Sequence, residues 1–553
     1  MNIEKVNAVV EYYDETISND ILTITSTAGS TFNNSVSAVD RVFNINWKSA
    51  EISDENAKIN TYLEITFSKI HSMAGFAFTG NITINHFRVY CYKNDEIVAS
   101  GSTYYEYGWI AASNFNKIRI EIVDTQSGNE YAEIENIAFY FKKAELGENS
   151  IYSVSMRKSF DITAESDSDG ECQFAFRNDF FTPYGDKEIS TISDTLKQNQ
   201  KVAMSVKYIN KSADSTFGFY KTKEIYGEDR DEVINVNAVD ALVAASETFY
   251  KNGKVYPNGR TLYDWAQEIL ADAGLKGIID EELKNIVSKG YITEVPHREA
   301  LRLIAEASGG VLFVDNNGKV NIKILSYKSG GLGTETNAES DIVDGTLSIT
   351  NPEKIQGITV PYYAYIPQEY SCELGYIESM VLTDTPQKVD ITYAQFPVAT
   401  ESVAVYLLNS IAEITEQNVY SDRIEIFVKA KAGKEGERTF ITVTGKPYDT
   451  TISEIKTSEA TQNIKNIENN YLITDLSMAQ NIADYQSKML VNNYKYSFEI
   501  ANPNKNFELG EQVLLKRQLA SGIKSNTLII TGIGVDISFE NETVTYTGVE
   551  VEV

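Results

Sequence analysis

Cysteine is scarce: Cys91, Cys172 and Cys372 are the only three in 553 residues. They are odd in number and far apart, which excludes a disulfide framework and a clustered zinc site, and they read as small buried hydrophobes. Histidine is equally scarce, with His71, His86 and His297, none with a partner three or four residues on. A zincin-type metal site is therefore excluded, and isolated histidines lack the orienting groups that catalysis needs. Proline numbers 10, against 34 tyrosines and 24 phenylalanines, a balance of β-rich domains and not of disorder. Positive charge is in deficit: 49 Lys and Arg face 78 Asp and Glu, a net charge of -29. A free nucleic-acid binder needs a basic face, so specific DNA or RNA binding is not expected, and an acidic surface repels anionic membranes too. No run approaches the roughly 18 apolar residues of a membrane span. The start, "MNIEKVNAVVEYYDE", lacks the basic-then-apolar order of a secretory signal.

Also missing are a Gly-x-Ser-x-Gly elbow and a P-loop; "GRTLYDW" lacks the Gly-Lys-Ser/Thr that cradles phosphate. Carboxylates are so abundant that no pair can be singled out as a glycosidase dyad. The reading is of a chain without enzymatic activity, cofactor or metal.

What is present is strand pattern. "TYLEITFSKI" (61–70), "ITINHFRVYCYKN" (82–94), "NKIRIEIVD" (116–124) and "AEIENIAFYFKK" (132–143) alternate apolar and polar residues and predict a β-sandwich over 1–147. "ELGENS" (145–150) reads as a linker. "SVSMRKSFDITAE", "CQFAFRN" and "KVAMSVKYIN" predict further strands within 148–240.

The period then changes. "TLYDWAQEILADAG" (261–274) sets Leu262, Trp265, Ala266, Ile269 and Leu270 on one helical face, with Gly274 suited to a left-handed C-cap. "DEELKNIVSKG" predicts a second helix ending at Gly290. "PHREALRLIAEASGG" predicts a third, with Pro296 in the first helical position. Gly309-Gly310 follows that helix and precedes the strand "VLFVD", the reverse of a phosphate loop. "DNNG" (315–318) lacks the acidic spacing of a calcium loop and, with Asn317-Gly318, predicts a hairpin turn. These features define a middle domain over 241–345, in which "GLGTETNAESD" (331–341) reads as a surface loop. A β domain over 346–465 follows. Residues 466–553 add one helix, "DLSMAQNIADYQSKML" (475–490), and closing barrel-like strands.

One aromatic cluster, "GSTYYEYGWIAASN" (101–114), holds Tyr104, Tyr105, Tyr107 and Trp109. Such side chains either fill a sandwich core or, exposed on its edge, stack on a glycan or anchor a partner. Trp47 is a weaker candidate of the same kind.

The order of these blocks resembles a known family. The sandwich "LEITFSK…ITINHFRVYCYKNDEIVASGS…NKIRIEIVDTQSGNEYAEIENIAFYF" resembles the galactose-binding-like jelly roll of bacteriophage and prophage tail proteins. "SVSMRKSFDITAESDSDGECQFAFRND" resembles the first barrel of phage tail hub (baseplate hub or tail-tip, tail-associated lysin N-terminal type) proteins. "GRTLYDWAQEILADAGL…GYITEVPHREALRLIAEASGGVLFVDNNGKVNI" resembles their helical middle, and "YLITDLSMAQNIADYQSKML…FELGEQVLL" their last helix and closing barrel. The resemblance implies a mainly β, multidomain fold: a sandwich, then hub β-barrels with a small helical insertion. It implies a homotrimeric ring at the virion tail tip, assembled in the bacterial host cytoplasm. Two β-barrels per subunit would match the sixfold tube. The implied partners are the distal tail or tail tube protein, the tape-measure protein and tip or fibre proteins, with host surface glycan as the alternative for the sandwich. Many relatives carry a C-terminal peptidase or lysozyme domain; this chain stops at Val553 after the closing barrel, so tail-lysin activity is expected of another protein. A wall-degrading enzyme is the further alternative.

Overall fold

The computed structural model describes all residues except 1–2, 14–20, 32–37, 40–41, 51–60, 74, 105–106, 109–111, 126–130, 147–150, 165–167, 178–199, 209–214, 228–232, 326–333, 352–354, 408–409, 461, 468–469, 491–493, 502–506, 539–541 and 552–553. The chain is mainly β, in several sheets with few helices. Among the described residues, the buried apolar side chains form four cores.

The first core belongs to a two-sheet sandwich. One sheet runs, all antiparallel, through Ile21–Ser26, Tyr62–Met73, Ala112–Thr125, Ile84–Lys93 and Glu96–Tyr104. The other centres on Glu133–Leu146, with Val42–Lys48 and Gly75–Ile82 beside it. Alternation decides which residues enter. Ile118, Ile120 and Ile122 are buried, while Lys117, Arg119 and Glu121 between them are only partly so. Phe67 packs edge-on against Phe115 and Phe139. Trp47 is buried among them, so the partner contact considered for it is replaced by core packing.

The chain's first strand, Ile3–Tyr13, lies between the end of Glu133–Leu146 and Lys201–Tyr208, antiparallel to both. It ties the sandwich to a second β body. There, Lys201–Tyr208, Ser215–Tyr226, Val233–Val239, Asp169–Arg177 and Ile151–Ser159 pair in that order. Ile151–Ser159 then pairs with Gly522–Ile537 from the far end of the chain, Val154 opposite Ile537 and Ser159 opposite Gly532. Gln512–Leu519, Glu542–Glu550 and Lys495–Glu499 continue the sheet. Early and late strands share one core: Val154, Met156, Phe174 and Val236 pack with Phe498, Val513, Val535 and Tyr546.

The third core holds the helices. Helix α1 (Leu262–Asp272) buries the five residues its periodicity marks, and Thr261 caps it by accepting from Asp264 N–H at 3.0 Å. Helix α2 (His297–Ser308) starts one residue later than expected, with Pro296 at the N-cap, and ends on Gly309 at φ 65°. Helix α3 (Leu476–Leu490) buries Met478, Ala479, Ile482, Ala483, Met489 and Leu490 as its spacing predicts. The Asp315–Gly318 turn joins Val311–Val314 to Val320–Lys323; the Asp315 carboxylate accepts from Asn317 and Lys319 N–H.

Two segments differ from their sequence pattern. "DEELKNIVSKG" forms only a 3-10 turn, Glu281–Asn285, followed by Val287–Ser288 paired to Arg260–Thr261. Ile286 and Val287 are β-branched, and the strand pairing outweighs a short helical period. "GLGTETNAESD" is not simply a loop: Thr334–Asn337 pairs in parallel with Gln512–Leu519, burying Thr336, and a short turn of helix follows over Ala338–Asp341.

The fourth core lies in a small sandwich of Cys372–Val381, Arg438–Gly445 and Ala404–Leu407 facing Gln387–Thr392, Arg423–Ala430 and Ala412–Val419. The antiparallel pair of Gly357–Pro367 and Tyr448–Lys456, which bracket it in sequence, forms its stem.

Candidate functional site

Of the four aromatic candidates, Tyr104 and Tyr107 have described backbone, in strands of opposite sheets of the first sandwich. Tyr104 ends the strand paired through His86, and Tyr107 pairs with Ala77 in the opposite sheet. Tyr105 and Trp109, and the side chains of Tyr104 and Tyr107, lie outside the described residues.

The histidines occupy three unlike settings. His71 is buried edge-on against Phe67, and His86 meets Ser102 Oγ at 2.7 Å. His297 bridges Thr248 Oγ1 through Nδ1 at 2.8 Å and Asp272 Oδ2 through Nε2 at 2.9 Å. Its backbone N–H also donates to the Thr248 carbonyl at 3.0 Å. The imidazole thus braces the start of α2 against α1 and the strand at Phe249.

A polar cluster lies where the helical body meets the shared β body, and its focus is the loop after Ile151–Ser159. Ile162, Thr163, Ala164 and Ser168 present backbone carbonyls or a hydroxyl to side chains from three separate elements. From α2, Arg298 donates to Ser168 O, and Arg302 donates to Ala164 O at 2.8 Å. From α3, Tyr485 donates to Ile162 O at 3.0 Å and Gln486 to Thr163 O at 3.3 Å. From the strand Ile464–Asn466, Lys465 donates to Thr163 Oγ1 at 2.8 Å. Ala164 itself is held at φ 52°. Arg298, Lys465 and Gln486 are buried, so each would cost desolvation if unpartnered.

Charge is balanced locally around this loop. Arg302 grips Glu299 with two nitrogens at 2.7 and 2.8 Å and lies 3.6 Å from Glu306. Burial pushes the Glu306 carboxyl up, against the pull of Arg302 and of Asn470, which donates to it at 2.9 Å. Arg302→Ala should lower the unfolding free energy by about 2 kcal/mol, because Ala164 O loses a charged donor and the buried Glu306 loses a nearby cation. Thermal unfolding of the variant beside Arg302→Lys reads this; equal melting of wild type and both variants would contradict it.

Lys158 is the second element of the junction. Parity along "SVSMRKS" puts Val154, Met156 and Lys158 on the core face, and Lys158 is 3 % exposed. Its ammonium donates to Phe217 O and to Asn316 Oδ1 at 3.1 Å, so it links the β body to the turn of the helical body's hairpin. Burial lowers its pKa to about 8, opposed by the charge of Asp240. Asp240, also 3 % exposed, accepts from Val243 N–H at 2.9 Å, and burial raises its carboxyl to about 6. No motif contains either residue, so motif reading misses both. The signal that could find Lys158 is its inward parity within a strand.

This arrangement is a mechanical joint: donors from three directions fix one loop, and through it the orientation of two bodies. Among the described residues no group of three His, Cys, Asp or Glu side chains is placed to hold a metal ion, and no helix is long and apolar enough to cross a membrane.

No family model and no curated protein matches the chain. Among solved structures it is similar to the tail protein from Neisseria meningitidis MC58, at 10% identity and TM-score 0.41, covering 74% of this chain and 94% of that one. It is also similar to the prophage tail protein gp18 from Listeria monocytogenes EGD-e, at 10% identity and TM-score 0.37, covering 73% and 91%. A chain of the virion of a native gene transfer agent particle is matched over 96% of this chain and 81% of its own, at 10% identity and TM-score 0.29. All three scores lie under 0.5, too low to carry more than a likeness.

Proposed function

We propose that the chain is a structural hub of a phage or phage-tail-like particle. Three copies form a ring at the tail tip that adapts the sixfold tube to a threefold tip and lets DNA or tape-measure protein pass. The observation that carries this reading is the shared β body. Strands from 151–239 and from 495–550 lie side by side through Ile151–Ser159 and Gly522–Ile537 and bury one core. Each subunit therefore offers two sets of β strands around one core, and a closed ring of three would present six. The pinning of Ile162, Thr163, Ala164 and Ser168 suits a part that bears load between bodies.

Two further features fit a non-catalytic assembly protein. Ile366 is 60 % exposed, Tyr370 81 % and Ile452 64 %, close to the stem of the small sandwich, and large apolar side chains so exposed are suited to cover by protein. The net charge of -29 suits a conduit that DNA crosses without sticking. In this reading the first sandwich is a galactose-binding-like module that docks tip or fibre proteins, and the tube and tape-measure proteins contact the ring.

Immunogold microscopy of particles from the source culture, with antibody to this chain, tests the assignment. Gold confined to the distal tail tip, together with three copies per particle by quantitative mass spectrometry, is the expected result. Gold on side fibres would transfer the role to receptor binding. Intact but unlabelled particles, with the protein free in the lysate, would reject a structural role.

A further inference from the structure

The solvent side of the shared β body carries a groove of about 400 Å³, within the range of small-ligand sites. It is built by register. Across six neighbouring strands the paired residues Glu224, Asn237, Gln173, Ser155, Asp536 and Thr543 stand in one row. The next row on the same face is Tyr226, Asn235, Ala175 and Ser153. All but Glu224 and Tyr226 line the groove, with Ser538. Adjacent strands lie about 4.8 Å apart, so Asn237 to Asp536 spans roughly 14 Å, the reach of several linked rings and not of one.

The chemistry of the lining selects the ligand. Side-chain amides and hydroxyls both donate and accept, which matches a molecule whose own groups do both. Asp536 is the lining's one carboxylate, already ordered by Ser155 Oγ, which donates to it at 2.5 Å. Gln173, Asn235 and Thr543 have no side-chain hydrogen bond among the described residues, so their polar groups are open to a ligand. No lysine or arginine is in the lining, and a phosphate or other polyanion would lack the cations it needs. Ser153, Ser155 and Ala175 are small and leave the space, while Tyr226, 51 % exposed, is held at the side by Asn237 and Glu224. A half-exposed tyrosine ring beside a row of amides offers an apolar face for a sugar ring.

We infer that this groove binds a neutral oligosaccharide, with Asn237, Gln173 and Asp536 taking its hydroxyls and Tyr226 stacking at one end. The site is separate from the aromatic cluster of the first sandwich and does not depend on the ring assignment.

The test screens the full chain on an array of neutral and acidic oligosaccharides and titrates the best neutral hit by calorimetry. Binding by the wild type should weaken at least about tenfold in Asn237→Ala and in Asp536→Ala, the loss of one well-placed hydrogen bond. Gln173→Ala serves as a second, milder variant, and unchanged melting temperatures show that all three still fold. Trp109→Ala should bind like wild type. Absence of any neutral hit, a preference for acidic glycans, or binding lost in Trp109→Ala but kept in the groove variants would each overturn the inference.

Discussion

Lys158→Met should cost about 1–3 kcal/mol at pH 7, the range for leaving buried hydrogen-bond acceptors unsatisfied. The ammonium is the donor to Phe217 O and Asn316 Oδ1, and both acceptors stay behind. Asp240 also loses the cation that partly offsets its burial. Methionine fills the space with similar length, so a cavity contributes little. A double variant with Asp240→Asn should recover part of the loss, since the uncompensated anion goes with it. A single variant as stable as wild type would remove the joint's assigned role.

The pH dependence separates this account from loss of packing alone. The Asp240 carboxyl ionises at about 6 in the folded chain, against an ordinary 3.8. Between those values the folded state holds the extra proton, so stability falls as pH rises through them, by about 3 kcal/mol at one unit per 1.36 kcal/mol. Lys158 deprotonates at about 8, against an ordinary 10.5. Between those values the unfolded chain holds the extra proton, so stability rises with pH. From about 6 to 8 both groups are charged and each is disfavoured by burial. Subtracting the melting profile of Lys158→Met from that of wild type should give a difference that grows between about pH 8 and 10. The cost of the variant should shrink near about pH 5, where Asp240 is protonated. A difference independent of pH would mean that the lysine's charge is irrelevant.

Much of the fold is legible because strands and helices differ in period. The five buried residues of α1 and the six of α3 follow from spacing alone, and the inward isoleucines at 118, 120 and 122 follow from alternation. The same rule, applied to a charged residue, marks Lys158; a search for motifs favours clusters over parity and passes it by. What spacing cannot give is long-range pairing. Nothing local in "SVSMRKS" says that the partner of Ser155 is 381 residues away, at Asp536, and both strands have the ordinary pattern of many others. The polar groove is hidden for the same reason. Asn237, Gln173, Ser155 and Asp536 are ordinary singly, and only register sets them in a row. The aromatic cluster at 104–109 is the opposite case: conspicuous in sequence, it holds a kind of residue that composition alone cannot convert into a site.

Gly290→Ala should destabilise the chain by about 3 kcal/mol, the upper part of the range for overpacking. The sequence pattern makes Gly290 the end of a helix, a role in which alanine costs about 1–2 kcal/mol of left-handed backbone strain. Its actual surroundings are backbone. A Cβ there would lie 1.9 Å from Tyr471 O and 2.9 Å from Leu472 Cα, with no flexible side chain to yield. The approach is fixed from both sides. Ser288 Oγ donates to Leu472 O at 2.6 Å and accepts from Gly290 N–H at 3.0 Å, and Tyr291 stacks on Tyr471 with centroids 5.1 Å apart. Moving either segment aside breaks a buried hydrogen bond or the stack. The requirement is space and not conformation, which makes a control available. Gly345 sits at φ 79° with nothing within 4 Å of where a methyl group would stand, so Gly345→Ala should cost only about 1–2 kcal/mol of backbone strain. Calorimetry of the two variants should therefore show the larger fall in Gly290→Ala, in the transition that includes the helical body. The reverse order would mean that the segments at 290 and 471 separate easily.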